Sequence, residues 1–402
     1  MITVVTCGAN LQYNFGCPSI MHGFYELLNE VFGNNFRLIN LHIGNVIDKH
    51  LSDMNYNIVP LKSYTPKNFY IQLLCDKLRV GKENEIQKAF DIVKHSDVVV
   101  EVFGISFCDS LNDRKLLTPL IPLYWIKRFP FNYYAMKHGI YSIKNTSSFG
   151  PAQSKFNVVG AHYSVSKIFN KLVAREVQSV EALRKVGIQN DISVAPDVAN
   201  LMKYKKRKLS DKSVIGISTS HQIIRQWKSE ESYIDCICNL CLHIKASIDA
   251  EIILIPNEFS PRYFNDIDVS KKIRDRLTNG NNIDIDILDV MNMTSSDLKN
   301  TIASCDALIA SRYHSCVAAL SSGVPVIVIG WHYKYAELMS LYGQEKWHLS
   351  EDDCNSSMLI EMFDELWISR EELHNEITFH YKDVRSTIIE NGKKMLKGIT
   401  PD

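Results

Sequence analysis

Residues Cys305–Met339 read CDALIASRYHSCVAALSSGVPVIVIGWHYKYAELM. The run CDALIAS is apolar enough for a strand covered on both faces, ending near Ser311. HSCVAALSS follows as a small-residue helix, with Gly323 just past its end. VPVIVIG is a second strand, and WHYKYAELM opens a second helix. Strand, helix, strand and helix in this order predict parallel pairing in an α/β fold. Cations stand where each strand gives way to a helix: Arg312 and His314 after the first strand, His332 and Lys334 after the second. Unpaired backbone N–H groups and the positive end of the dipole make a helix start a natural place for an anion. Arg312 adds a fork that suits carboxylate or phosphate. His314 can supply a proton near neutral pH. Ser315 joins them at the same helix start, and neighbouring strands would bring Lys334 toward Arg312.

The same alternation extends through the chain. ITVVTC, DVVVEVFG, GIYSIKN and ISVAP precede residue 200, and VIGIST, EIILIP, ALIAS and VPVIVIG follow it. At 402 residues the chain exceeds what one core usually supports. Two Rossmann-like, doubly wound domains are expected, in a GT-B-like arrangement with a cleft between them. Residues 1–205 would form the N-terminal, acceptor-side domain and 206–375 the C-terminal, donor-side domain, with 376–402 a helix packing back across both. The basic stretch KYKKRKLSDKS, Lys203–Ser213, is the expected hinge.

Lys+Arg and Asp+Glu both number 45, so no overall field would hold nucleic acid or an anionic membrane. The opening MITVVTCGAN reads as a strand entering a turn, without the basic region of a signal peptide. No apolar run reaches the roughly 18 residues that span a bilayer. Ten scattered Cys fit reduced thiols, and a cytoplasmic location is expected. Cys236, Cys238, Cys241 and His243 would point in several directions from one helix, so buried thiols rather than a metal site are expected there. Asp284 and Asp286 have the spacing of a metal-binding pair, but a polar strand face is the plainer account. No metal is expected. Glycine-rich nucleotide loops and a Gly-x-Ser-x-Gly elbow are absent.

Other strand-end loops add candidates. STSHQIIRQW offers Ser218, Ser220, His221, Arg225 and Trp227, suited to a phosphate and a stacked sugar ring. Asn257 follows EIILIP. Asn14 and Gly16 would let backbone approach a ligand, while Arg175 and Glu176 read as a buried ion pair. LIPLYWIKRFPFNYY, Leu120–Tyr134, is unusually aromatic and would either cover the core or dock a membrane or acceptor through Trp125, Phe129 and Phe131.

Five stretches, taken in order, resemble the polysaccharide pyruvyl transferase family. The opening Arg-x-His, small-residue helix, Gly-Val-Pro, strand and Lys resemble its signature. NFGCPSIMHGFYELL resembles its N-terminal loop and helix, and SDVVVEVFGISFCD its strand and Gly loop. NTSSFGPAQS resembles its Gly-Pro turn, and AREVQSVEALRKVGI followed by VAPDVA its Arg-Glu to Asp block. Departures stand at Cys17, where an Asp is common, at Phe103 for the first of two glycines, and at Asn257 for a His. The resemblance implies phosphoenolpyruvate as donor substrate, with no cofactor, and a pyruvate ketal formed on a sugar with phosphate released. The acceptor would be a sugar or a lipid- or nucleotide-linked glycan. Arg312 and Lys334 would hold the donor's anionic groups, His314 would act as acid, and Ser315, Ser218, Ser220, Arg225, Asn257, Asn14 and Gly16 would contact substrate. Peripheral membrane contact and homo-oligomers are left open. Two other readings stay open on the same fold: a GT-B glycosyltransferase using a nucleotide sugar, and a non-catalytic member that binds a glycan or a partner.

Overall fold

A parallel strand needs apolar cover on both faces, and the β-branched runs supply it: every residue of Val326–Gly330 is buried. The computed structural model describes residues 1–45, 53, 55–80, 83–109 and 114–399. The chain forms two compact units. One comprises Met1–Gln12, Ile20–Val198 and the chain from Thr387 on; the other comprises Tyr13–Ser19 and Ala199–Ser386.

The first unit is built on β1 (Ile2–Cys7), β2 (Phe36–Ile43), β3 (Asn57–Leu61), β4 (Val98–Glu101), β5 (Ile105–Ser106), β6 (Tyr141–Phe149), β7 (Lys171–Ala174) and β8 (Ile192–Val194). Their order is β3-β2-β1-β4-β6-β7-β8, with β5 beside β6, and Val4 of β1 stands opposite both Leu38 and Val98. The chain winds outward from β1 to β3, then returns to β1's other side as β4. That reversal places a switch point between β1 and β4, outside whose carboxyl ends such folds bind ligands.

The second unit repeats the plan with β9 (Ser213–Ser218), β10 (Ala250–Leu254), β11 (Asp286–Ile287), β12 (Ala307–Ala310), β13 (Val326–Gly330) and β14 (His348–Ser350). The order is β11-β10-β9-β12-β13-β14, all parallel, with Ile215 opposite both Ile252 and Ala307. Its switch point lies between β9 and β12. Helix Tyr313–Leu320 connects β12 to β13, and Gly323 beyond it has φ +76°, a value costly for any residue with a Cβ.

Several expectations are revised. β2, FRLINLHI, is not among the runs read as strands, because Asn40 and His42 interrupt its apolar pattern. Both are buried and hydrogen-bonded instead: Asn40 Nδ2 donates to Thr6 Oγ1 (3.0 Å), and His42 Nδ1 lies 3.1 Å from the Ala9 carbonyl. Helix Ser356–Met395 starts well before residue 376, the expected start of the C-terminal helix. The stretch Lys203–Ser213 is tied to the second unit, with Lys205 N–H on Asn300 Oδ1 (2.6 Å) and Arg207 N–H on Ser304 Oγ (2.9 Å). The aromatic stretch folds as helices Ile121–Arg128 and Pro130–Lys137, and Trp125, Phe129 and Phe131 are core residues with no docking face. Arg175 and Glu176 are both buried, but not as partners: Arg175 pairs with Asp197 (2.8 Å), while Glu176 accepts from Ser148 (2.6 Å) and Ser179 (2.7 Å). Cys236, Cys238 and Cys241 are buried on helix Glu230–Ser247, and His243 pairs with Asp364. Among the described residues no group of His, Cys, Asp or Glu is arranged to hold a metal, and no helix is long and apolar enough to cross a membrane.

One buried charge gives a stability prediction. Lys299 is buried on helix Ser295–Ile302, its Nζ donating to Ser321 Oγ (2.8 Å), and burial pushes its ammonium down to about 7. The unfolded chain keeps the ordinary lysine value, so it binds more protons between pH 7 and about 10, and stability rises across that window. At and below pH 7 the folded state carries the full cost of a buried cation. Lys299→Met is therefore expected to raise Tm at pH 6.5 by on the order of 3 °C or more, with the gain shrinking toward pH 10. A gain independent of pH in thermal melts would refute this.

Candidate active site

Parallel strands all end on one edge, where helix starts and polar loops collect. In the second unit this edge brings together Ser218 at the end of β9, Asn257 after β10, and Arg312–Ser315 after β12. Ser315 is buried in the first turn of its helix, and its Oγ accepts from Ser218 Oγ (2.7 Å) and Asn257 Nδ2 (3.2 Å). Three neutral side chains from three strand ends thus form one cluster beside the switch point.

Asp266 organises the charged half. It is fully buried at the first position of helix Asp266–Asn281. Its Oδ2 accepts from Arg312 Nε (2.8 Å) and from the backbone N–H groups of Asn257 (3.2 Å) and Glu258 (2.8 Å). Oδ1 accepts from Arg312 Nη2 (2.5 Å) and the His221 N–H (2.9 Å), with His221 Nδ1 at 3.0 Å. Burial alone would raise this carboxyl, but the Arg312 charge and the His221 hydrogen bonds outweigh it and hold the group at about 2. Glu258 Oε2 lies 3.2 Å from the same Nη2. The fork expected to face a ligand therefore grips Asp266, and none of these bonds uses Nη1.

The loop Tyr13–Ser19 belongs to this unit and lies along Asn257–Phe259. Asn14 bridges Glu258, the Phe15 N–H donates to the Asn257 carbonyl (3.3 Å), and the Phe259 N–H donates to the Tyr13 carbonyl (2.9 Å). The Asn14 side chain acts locally, since its Oδ1 accepts from the Cys17 N–H (3.1 Å) at the start of helix Gly16–Phe32. Gly16 faces His314 so closely that a Cβ there would stand 2.5 Å from Nδ1. Glycine is required by this approach, not by a turn.

Lys334 sits in the first turn of helix Tyr333–Leu341, beyond β13. Its Nζ lies 5.4 Å from the Tyr313 ring, 5.1 Å from Trp331 and 5.4 Å from Tyr335, a cation held among three aromatic faces. Of these rings, Tyr313 belongs to the helix start that carries Arg312 and His314. Ser220 caps helix His221–Ile224 by accepting from the Gln222 N–H (3.1 Å). Arg225 is exposed and reaches Gln222 (3.5 Å) rather than the buried cluster. Trp227 packs edge-on against Tyr233 at 5.2 Å, so its ring is part of the core. Sequence reading missed Asp266 altogether.

Residues 14–333 match the family model described as polysaccharide pyruvyl transferase. No curated protein matches the chain significantly. Solved structures with a similar fold include an S. aureus MnaA–UDP co-structure, with 14% identity over 96% of this chain and 95% of that one and a TM-score of 0.56. A putative UDP-N-acetylglucosamine 2-epimerase from Listeria monocytogenes has 13% identity over 98% and 97%, with a TM-score of 0.57. UDP-GlcNAc 2-epimerase from Neisseria meningitidis bound to UDP-GlcNAc has 13% identity over 97% and 100%, with a TM-score of 0.55. At such identity the likeness establishes the fold, the parallel-sheet α/β class of GT-B proteins.

Proposed function

Because the chain belongs to the polysaccharide pyruvyl transferase family, we propose that it transfers the three-carbon unit of phosphoenolpyruvate to two hydroxyls of a sugar in a glycan precursor. The product is a pyruvate ketal, and phosphate is released. The observation that carries this reading is the convergence of Ser315, Ser218 and Asn257 at the switch point, at the start of the helix Tyr313–Leu320 that also carries His314.

In the proposed reaction His314 gives a proton to the methylene carbon of phosphoenolpyruvate, which becomes a methyl group. The adjacent carbon gains oxocarbenium character, and one sugar hydroxyl attacks it. Phosphate then leaves with its electron pair, and the second hydroxyl closes the ketal. Of the two hydroxyl protons released, one restores His314 and the other leaves with phosphate or to water. Lys334 and Nη1 of Arg312 supply positive charge for the donor's carboxylate and phosphate, with Asp266 fixing the guanidinium plane. The helix N–H groups beside Ser315 favour the same anion.

Calorimetry with phosphoenolpyruvate and with UDP tests the donor. UDP is the counter-probe because it occupies the S. aureus structure of the same fold. Saturable phosphoenolpyruvate binding is expected, weakened at least tenfold in Lys334→Met, which keeps the packing against the rings but removes the charge. UDP binding with no response to phosphoenolpyruvate would replace this reading with nucleotide-sugar transfer.

A further inference from the structure

The first unit carries its own cavity, about 450 Å³ in volume, at the carboxyl ends of β1, β2 and β4. It lies at that sheet's switch point and is lined by Gly8, Glu101, Phe103, Tyr124, Lys127 and Arg128, among others. Glu101 ends β4 and is 1% exposed. Its Oε2 accepts from Lys144 Nζ, fully buried on β6, which also donates to the Phe103 carbonyl. Its Oε1 has no hydrogen-bond partner among the described residues. Gly8 packs directly against that oxygen and has no side chain to do otherwise, since a Cβ there would collide with it.

A buried carboxylate oxygen left unpaired is costly, and a donor brought into the adjoining cavity would relieve that cost. The rim has the opposite charge. The Arg128 guanidinium stands 4.5 Å over the Phe103 ring and the Lys127 ammonium 5.0 Å from the Tyr124 ring. Neither has a carboxylate partner among the described residues. Two cations lining one cavity suit a phosphate dianion, and an acceptor-only oxygen in the same lining suits a hydroxyl.

We propose that this cavity binds a sugar phosphate, with a sugar hydroxyl donating to Glu101 Oε1 and the phosphate held by Arg128 and Lys127. Lys144 is a positioning residue that fixes the carboxylate from below. Only the cavity's place in the reaction, as the acceptor pocket, rests on the pyruvyl transfer reading. Binding is therefore measured without phosphoenolpyruvate, so failure here leaves the donor reading standing and failure there leaves this site standing.

The test is calorimetric titration of the full chain with α-glucose, α-galactose and α-mannose 1-phosphates, their methyl glycosides, and inorganic phosphate. At least one sugar phosphate is expected to bind tenfold or more tightly than both inorganic phosphate and its methyl glycoside. Arg128→Ala and Lys127→Ala, both at the rim, should each weaken it about tenfold or more without lowering Tm. Glu101→Gln should remove the advantage over inorganic phosphate; should that variant not fold, the ligand series alone decides the hydroxyl contact. Equal affinity for sugar phosphate and inorganic phosphate would overturn the Glu101 contact. Equal affinity for the methyl glycoside, or no binding by any sugar phosphate, would overturn the site.

Discussion

Asp266→Asn is expected to destabilise the second unit by about 3–5 kcal/mol, the usual cost of removing one partner from a buried ion pair. The amide has the volume of the carboxylate but must place an NH2 group where Oδ1 or Oδ2 now accepts. Those oxygens accept from two Arg312 nitrogens and from the backbone N–H groups of His221, Asn257 and Glu258, and His221 Nδ1 stands 3.0 Å from Oδ1 as well. Glu258 keeps part of the Arg312 charge compensated, which sets the lower end of the range. The depressed carboxyl gives an independent measure. Between an ordinary aspartate and a value of about 2, the linkage contributes about 2 kcal/mol that is complete above pH 4 and lost as pH falls through 2. Urea denaturation at pH 7 and pH 3 separates the two quantities, and the mutational cost should shrink at the lower pH. Asp268→Asn is the control. It belongs to the capping box with Asn265 on the same helix, so its loss should cost only about 1 kcal/mol. If the two variants melt alike, Asp266 is a cap and not the anchor of the site.

This anchor shows where reading the sequence stops. The β12, helix, β13 segment was legible because strand, helix and Gly323 are each signalled within a few residues. The pairing of Asp266 with Arg312 spans 46 positions and is made by topology: only β9 separates β10 from β12, and the segment after β10 reaches across to the end of β12. Locally, FNDIDVS reads as a helix start, and Asn265 and Asp268 do form a capping box there. Nothing local marks Asp266 as the buried ion-pair partner. The approach of Gly16 to His314 is hidden for the same reason, since the loop Tyr13–Ser19 folds with the second unit although it lies between two segments of the first. Glu101 and Lys144 had a signal that could have been used. Each is a lone charge within an otherwise apolar or neutral strand, VVVE and YSIKNTSSF. Two such charges of opposite sign on parallel strands of one sheet call for each other.

His314→Gln is expected to lower turnover with phosphoenolpyruvate by about 10²–10⁴, the range for losing a general acid, while donor binding stays within a few-fold. Glutamine retains a hydrogen-bonding head but has no proton to give near neutral pH. A loss of binding without loss of turnover would make His314 an anion contact rather than the acid. Gly16→Ala offers a second route to the same atom without touching it chemically. A Cβ 2.5 Å from Nδ1 is closer than real contacts allow, so either the imidazole turns or the loop Tyr13–Ser19 withdraws. The loop is held by the Phe15 and Phe259 backbone bonds and by the Phe15–Phe259 ring contact at 5.2 Å. The imidazole is the softer element, and its displacement should reproduce most of the His314→Gln loss. The double variant then decides between mechanisms. If Gly16 acts through His314, Gly16→Ala should cost almost nothing further in a His314→Gln background, because residues that act as a unit are not additive. Full additivity would mean that the loop serves the reaction by some other route.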